Sequence, residues 1–136
     1  IKKREGDKIT PKGRFKIKSI LYRKDRINNL NSNINKLPIK KNMGWCDDPS
    51  SKKYNKLIKL PFKFNAEKLF KKDNTYDIIL VLNFNSNPVR KNKGSAIFIH
   101  VAKRNYEHTM GCVAVKKEHL KFLTSKINKK TIVNIH

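Results

Sequence analysis

The apolar residues of this chain gather in short runs, and most of those runs have the length and spacing of strands rather than of helices. Phe15, Ile17, Ser19 and Leu21 occupy alternate positions. They predict a strand entered through the turn residues between Arg4 and Phe15, where two glycines and a proline stand among polar groups. Tyr76 to Phe84 and Ser95 to Val101 are nearly continuous apolar runs, the pattern of central strands buried on both faces. Asn85-Ser86-Asn87-Pro88, a basic stretch and Gly94 separate them as a loop. Leu57 to Pro61 and Thr131 to Ile135 predict two further short strands. Leu120, Leu123 and Ile127 are spaced for the buried face of one short helix, and Ala66 to Phe70 predicts one or two helical turns. Asn28 to Asn42 is rich in Asn and Lys, with Leu30, Ile34, Leu37 and Ile39 as its large apolar groups, and reads as a long mobile surface loop. With no internal repeat and a length of 136 residues, the order predicts one mainly β domain over 1–136 with one or two short helices.

Charge changes the picture of the surface more than of the fold. Thirty-three Lys and Arg face 10 Asp and Glu, a formal net charge of +23 that attracts any polyanion. The basic residues are mostly lysines scattered through every segment among many Asn and Ile, as a drift of composition produces. Aromatics make up 9% and form no stacking platform, so a specific nucleic-acid reader is the weaker reading. A basic module for wall polymer or nucleic acid stays open as the non-enzymatic alternative. No apolar stretch approaches the roughly 20 residues of a membrane-spanning helix. The chain opens with Ile1 in what reads as the middle of a motif, which leads us to expect a truncated amino terminus, with an export signal or a further strand upstream.

Candidate chemistry lies in two places. Gly44-Trp45-Cys46-Asp47-Asp48-Pro49, followed by Tyr54-Asn55, puts the one tryptophan beside a thiol and two carboxylates. Such density in a loop reads either as a site wall or as a core plug with a capped turn. His100 ends the strongest apolar run, and Gly111-Cys112 opens the next, twelve positions on from histidine to cysteine. Adjacent strands lie about 4.8 Å apart, so residues on one face of such a pair come within hydrogen-bond reach. A thiolate is the nucleophile. Free cysteine has a pKa of about 8.5, which a neighbouring imidazole lowers, and the imidazole then returns its proton to a leaving amine. Gly111 permits a sharp backbone turn that frees amides for an oxyanion. Two cysteines also permit a disulfide between Cys46 and Cys112, but a free Cys112 thiol suits its surroundings better. Asp47 with Asp48 as an acid/base pair, and a zinc set of Cys46, His100, His108 and Cys112, are the weaker constellations. Adjacent strand carboxylates face opposite ways, and the zinc set lacks a close ligand pair. No metal or cofactor is expected.

Gly94-Ser95-Ala96-Ile97-Phe98-Ile99-His100-Val101-Ala102, then Tyr106, then Thr109-Met110-Gly111-Cys112-Val113-Ala114, resembles the active-site block of the L,D-transpeptidase catalytic domain family, called YkuD-like. Asp7 to Phe15 resembles that family's Thr-Pro-x-Gly-x-Phe strand entry. Trp45 to Pro49 with Tyr54-Asn55 is similar to a block of a bacterial branch with short histidine-to-cysteine spacing. The resemblance covers nearly the whole chain. It implies a β-sandwich-like catalytic domain, placement in the periplasm or cell envelope, and a role in peptidoglycan biosynthesis and cell shape. It also implies attack by Cys112 on the L,D bond of a tetrapeptide stem, with His100 as base and Gly111 in the oxyanion hole. The acyl group passes from the thioester to an amine, or to water in the L,D-carboxypeptidase alternative, and carbapenem β-lactams are implied as covalent inhibitors. Met110 stands where the usual signature has histidine, and the arginine or asparagine common after the cysteine is replaced by Val113-Ala114-Val115. Candidate substrate-binding residues are therefore Thr109, Tyr106, Trp45, Asp47, Tyr54, Asn55 and Arg104, with Arg104 the stand-in for the missing carboxylate binder. His108 is a second-choice base.

Overall fold

The structure is a computed structural model that describes residues 2–103 and 111–136. Its frame is a sheet in the order β2-β1-β6-β7-β8, formed by Lys36–Pro38, Gly13–Tyr22, Ile78–Leu82, Phe98–Val101 and Val113–Val115. A ninth strand, β9 (Ile132–Ile135), pairs with the first half of β1. A smaller sheet places β3 (Met43–Cys46) between β4 (Leu57–Lys59) and β5 (Ala66–Lys68). The one helix among the described residues is α1, Lys117–Lys126. The mainly β architecture is the one the sequence pattern predicts, and its two sheets agree with the sandwich-like domain that the resemblance implies.

Every residue of β6 is buried, and its side chains divide by parity between two cores. Ile78, Leu80 and Leu82 join one core with Ile97, Ile99, Val101, Leu120 and Ile127, on the face that α1 covers. Ile79 and Val81 join Phe98, Trp45, Met43, Leu69 and Tyr76 on the other face, under the small sheet. The period-two geometry of a strand sends neighbours to opposite faces, so a continuous apolar run is what a sheet covered on both sides requires. Burying each such side chain is worth about 1.5–3 kcal/mol.

Three expectations are corrected here. Within Ala66 to Phe70, the residues Ala66–Lys68 form strand β5 rather than helical turns, because pairing with β3 satisfies their backbone, and Leu69 beyond it is at 0% exposure in the second core. The segment 28–42 is no bare surface loop: Leu30, Ile34 and Ile39 are buried, and Lys36–Pro38 pairs in parallel with β1. In α1, Thr124 rather than Leu123 faces the core. The Thr124 hydroxyl donates to the Leu120 carbonyl at 2.8 Å and so enters the interior satisfied, while Leu123 is exposed. The alternation of β1 also breaks once. A bulge between Ile17 and Ser19 shifts the register, so Ile17, Ile20 and Tyr22 share one core and Leu21 faces the other.

Asp77 anchors the end of this frame nearest β6. Its side chain is fully buried and accepts from Arg26 at 2.9 Å and Lys117 at 3.1 Å, tying β6 to the turn after β1 and to α1. Asp77→Ala removes the buried acceptor of both cations and leaves them to solvent, so it should destabilise the fold by about 1.5–3 kcal/mol, read as a lower urea midpoint with unchanged slope.

Candidate active site

The pairing of β7 with β8 is parallel, with Ile99 opposite Val113 and His100 opposite Ala114. By the alternation of strand faces, Phe98 and His100 share the face of Ala114 and Cys112, the one turned toward the small sheet. On that small sheet Trp45 lies opposite Glu67, so both point back toward the same space. Asp47 follows two positions after Trp45 and keeps its direction. Between the sheets a cavity of about 310 Å³ is lined by, among others, Glu5, Asp47, Glu67, Tyr76, His100 and Cys112. Lys71, Lys103, Thr75 and Ser95 complete its polar wall.

His100 is buried, and its Nδ1 lies 2.9 Å from the Val101 carbonyl. A carbonyl only accepts, so Nδ1 carries the proton and Nε2 keeps its lone pair, the state of a general base. The ring packs edge-on against Tyr76, with centroids 5.6 Å apart. Burial lowers the proton affinity of His100. Cys112 Sγ lies 3.1 Å from the Ala96 carbonyl, to which the thiol donates, and the Phe98 amide donates to the sulfur at 3.5 Å. Neither Cys112 nor Cys46 is in a disulfide, and Cys46 is fully buried in β3.

The thiol differs from expectation. Burial pushes Cys112 up to about 11, and the Phe98 amide only partly opposes this. An imidazolium lowers a thiol's pKa, but a desolvated, neutral His100 offers no positive charge to do so. The resting pair is therefore thiol and imidazole, not thiolate and imidazolium.

Gly111 has φ +108, a region that side chains rarely adopt, and a Cβ there would meet the Ile9 carbonyl at 3.1 Å. This glycine lets the chain pass against the amino-terminal segment immediately before the cysteine.

Asp47 lines the cavity. One of its oxygens, Oδ1, is buried with no hydrogen-bond partner, and burial, then the nearby Glu5 carboxylate, raises its pKa. Asp48 faces the other way and accepts from Ser50 and the Asn65 amide. Trp45, Tyr54 and Asn55 do not line the cavity, and all three are buried. Trp45 Nε1 donates to Asn55 Oδ1 at 2.9 Å, and its ring packs edge-on against Phe98. Asn55 in turn donates to the Phe84 and Asn85 carbonyls and accepts from the Ala96 amide. Tyr54 donates to Glu5 at 2.8 Å and accepts from the Gly94 amide. These polar tips are used up in holding the loop before β7, so they support the wall from behind. Arg104, Tyr106, His108, Thr109 and Met110 lie outside the described residues.

Glu5, Glu67 and Tyr76 are wall residues that sequence reasoning missed. The signal for the two carboxylates was their rarity: with 10 acidic residues in a chain of +23, three of them share this one cavity. Tyr76 was read only as the start of an apolar run.

The pH dependence of the thiol follows directly. In a Cys46→Ser background, alkylation of Cys112 by iodoacetamide should be slow near neutral pH. It should keep rising until about pH 11, where the thiol ionises. Intact mass at timed intervals checks this, and a plateau near neutrality is the contrary result.

The sequence model of the L,D-transpeptidase catalytic domain, YkuD, matches residues 2–135. No curated protein and no solved structure matches the chain.

Proposed function

The chain belongs to the L,D-transpeptidase catalytic domain family, whose members act on peptidoglycan peptides, and from that premise we propose that it is a cysteine-dependent acyltransferase of stem peptides. The observation that carries the proposal is the placement of Cys112 and His100 in one cavity on one face of the β7–β8 pair.

In the first half-reaction Cys112 Sγ attacks the carbonyl carbon of the L,D bond in a tetrapeptide stem, and His100 Nε2 takes the thiol proton as the C–S bond forms. With the thiol held near 11, this proton transfer accompanies attack rather than preceding it. Amides at Gly111 and Cys112 receive the oxyanion, a contribution of about 10²–10³ in rate where such donors have been removed. Collapse of the intermediate breaks the C–N bond. His100 returns its proton to the departing amine, leaving a thioester. An acceptor amine then attacks, His100 takes its proton, and the thiol is released. Water as acceptor gives the L,D-carboxypeptidase outcome with the same residues. Asp47 is proposed to contact substrate from the opposite wall, and Thr109, Tyr106 and Arg104 to contribute from the 104–110 segment. Action on the cell wall places the proposed site of work in the periplasm or cell envelope.

Intact-protein mass after incubation with a carbapenem tests the assignment. One adduct is expected on wild type and on Cys46→Ser, and none on Cys112→Ser. His100→Gln should slow adduct formation by about 10²–10⁴, the usual contribution of a positioned base. A folded, reduced wild type that forms no adduct would sink the assignment. Product masses with muropeptides then identify the acceptor, cross-linked dimers for an amine and trimmed tripeptides for water.

A further inference from the structure

Glu67 stands on β5, directly across the ladder from Trp45, and reaches the cavity that holds His100 and Cys112. Its Oε1 accepts from the Tyr76 hydroxyl, and Lys71 Nζ lies 3.6 Å from the same oxygen. The Tyr76 ring meets Phe98 on one side and His100 on the other, with centroid separations of 5.9 Å and 5.6 Å. The carboxylate thus ends a chain of contacts, Glu67 to Tyr76 to His100, that enters the imidazole from the small sheet. The Val101 carbonyl holds Nδ1 from the other direction.

We infer that Glu67 is a positioning residue for His100: it fixes the tyrosine ring on which the imidazole rests and supplies the anion that balances the imidazolium formed when His100 takes a proton. The inference rests on the proposed role of His100 as base. Among the described residues, the charged and titratable groups that share the cavity with His100 are Tyr76, Glu67, Lys71, Lys103 and Cys112, with Glu5 and Asp47 on the same wall. Lys71 and Lys103 oppose protonation of His100, and Glu67 favours it.

Glu67 acts alike in the two half-reactions. It favours the imidazolium formed when His100 takes a proton, and it disfavours the thiolate both when the sulfur attacks and when it is released from the thioester.

The test titrates His100 by the NMR signal of its ring Cε1–H, assigned by its loss in His100→Gln. Glu67→Gln keeps an acceptor for the Tyr76 hydroxyl and removes only the charge. It should reduce the proton affinity of His100 about threefold or more. Tyr76→Phe keeps the ring but releases the carboxylate, and should move the midpoint in the same direction. Lys71→Gln should move it the opposite way. If Glu67→Gln fails to fold, the opposed movements of Tyr76→Phe and Lys71→Gln carry the test. A His100 midpoint unchanged across the folded variants overturns the inference, as does a change limited to thermal stability. Turnover of tetrapeptide stems is followed on the same samples. A wild type without turnover, but with the expected midpoint shifts, counts against the transpeptidase assignment alone and leaves the coupling of Glu67 to His100 supported.

Discussion

The parallel register between β7 and β8 is the constraint on which the rest of the site depends. It places His100 beside Ala114 and Phe98 beside the cysteine that precedes the strand, so imidazole and thiol emerge on one face. A slip of one residue would send one of them into the opposite core among Ile99, Val101 and Leu120. What prevents the slip is hydrophobic. Ile97, Ile99 and Val101 are buried on the helix-covered face, and exchanging them for Phe98 and His100 would put an imidazole among aliphatic side chains with no acceptor. The packing of one core thus fixes the chemistry of the other.

The small sheet completes the site by working as a lid with polar edges. Trp45 and Leu69 bring it onto the main sheet by apolar contact, while Asp47 and Glu67, near those residues along their strands, bring carboxylates to the cavity. Each carboxylate lies two positions from its packing residue, so wall and packing residues share the face turned toward the main sheet. In a chain so heavily cationic, a cavity that gathers Glu5, Asp47 and Glu67 beside Lys71 and Lys103 is an exception to the surrounding composition.

The parts of this arrangement legible in the sequence were those with a local signature. Two continuous apolar runs announced β6 and β7, and His100 at the end of one, with Gly111-Cys112 opening the next, marked the two residues that share the cavity. What could not be read depended on partners distant in sequence. Met43–Cys46 has no alternation because all four residues are buried, so it passed for a loop. Ala66–Lys68 carries helix-forming residues and becomes a strand only because β3 offers it a ladder. The bulge in β1 and the inward turn of Thr124 are likewise settled by packing. Trp45, Tyr54 and Asn55 attracted attention as unusual side chains, but their polar atoms face one another and the backbone of the loop before β7.

Trp45 is the one indole in the chain. Its ring centroid is 5.2 Å from that of Phe98, whose own amide donates to Cys112 Sγ. The protein's single strong near-ultraviolet fluorophore is thus one residue removed from the sulfur, in a dry and rigid setting with its N–H already engaged. Changes at the thiol can reach this chromophore without passing through solvent, which makes native emission an intrinsic optical gauge of what occupies the cavity.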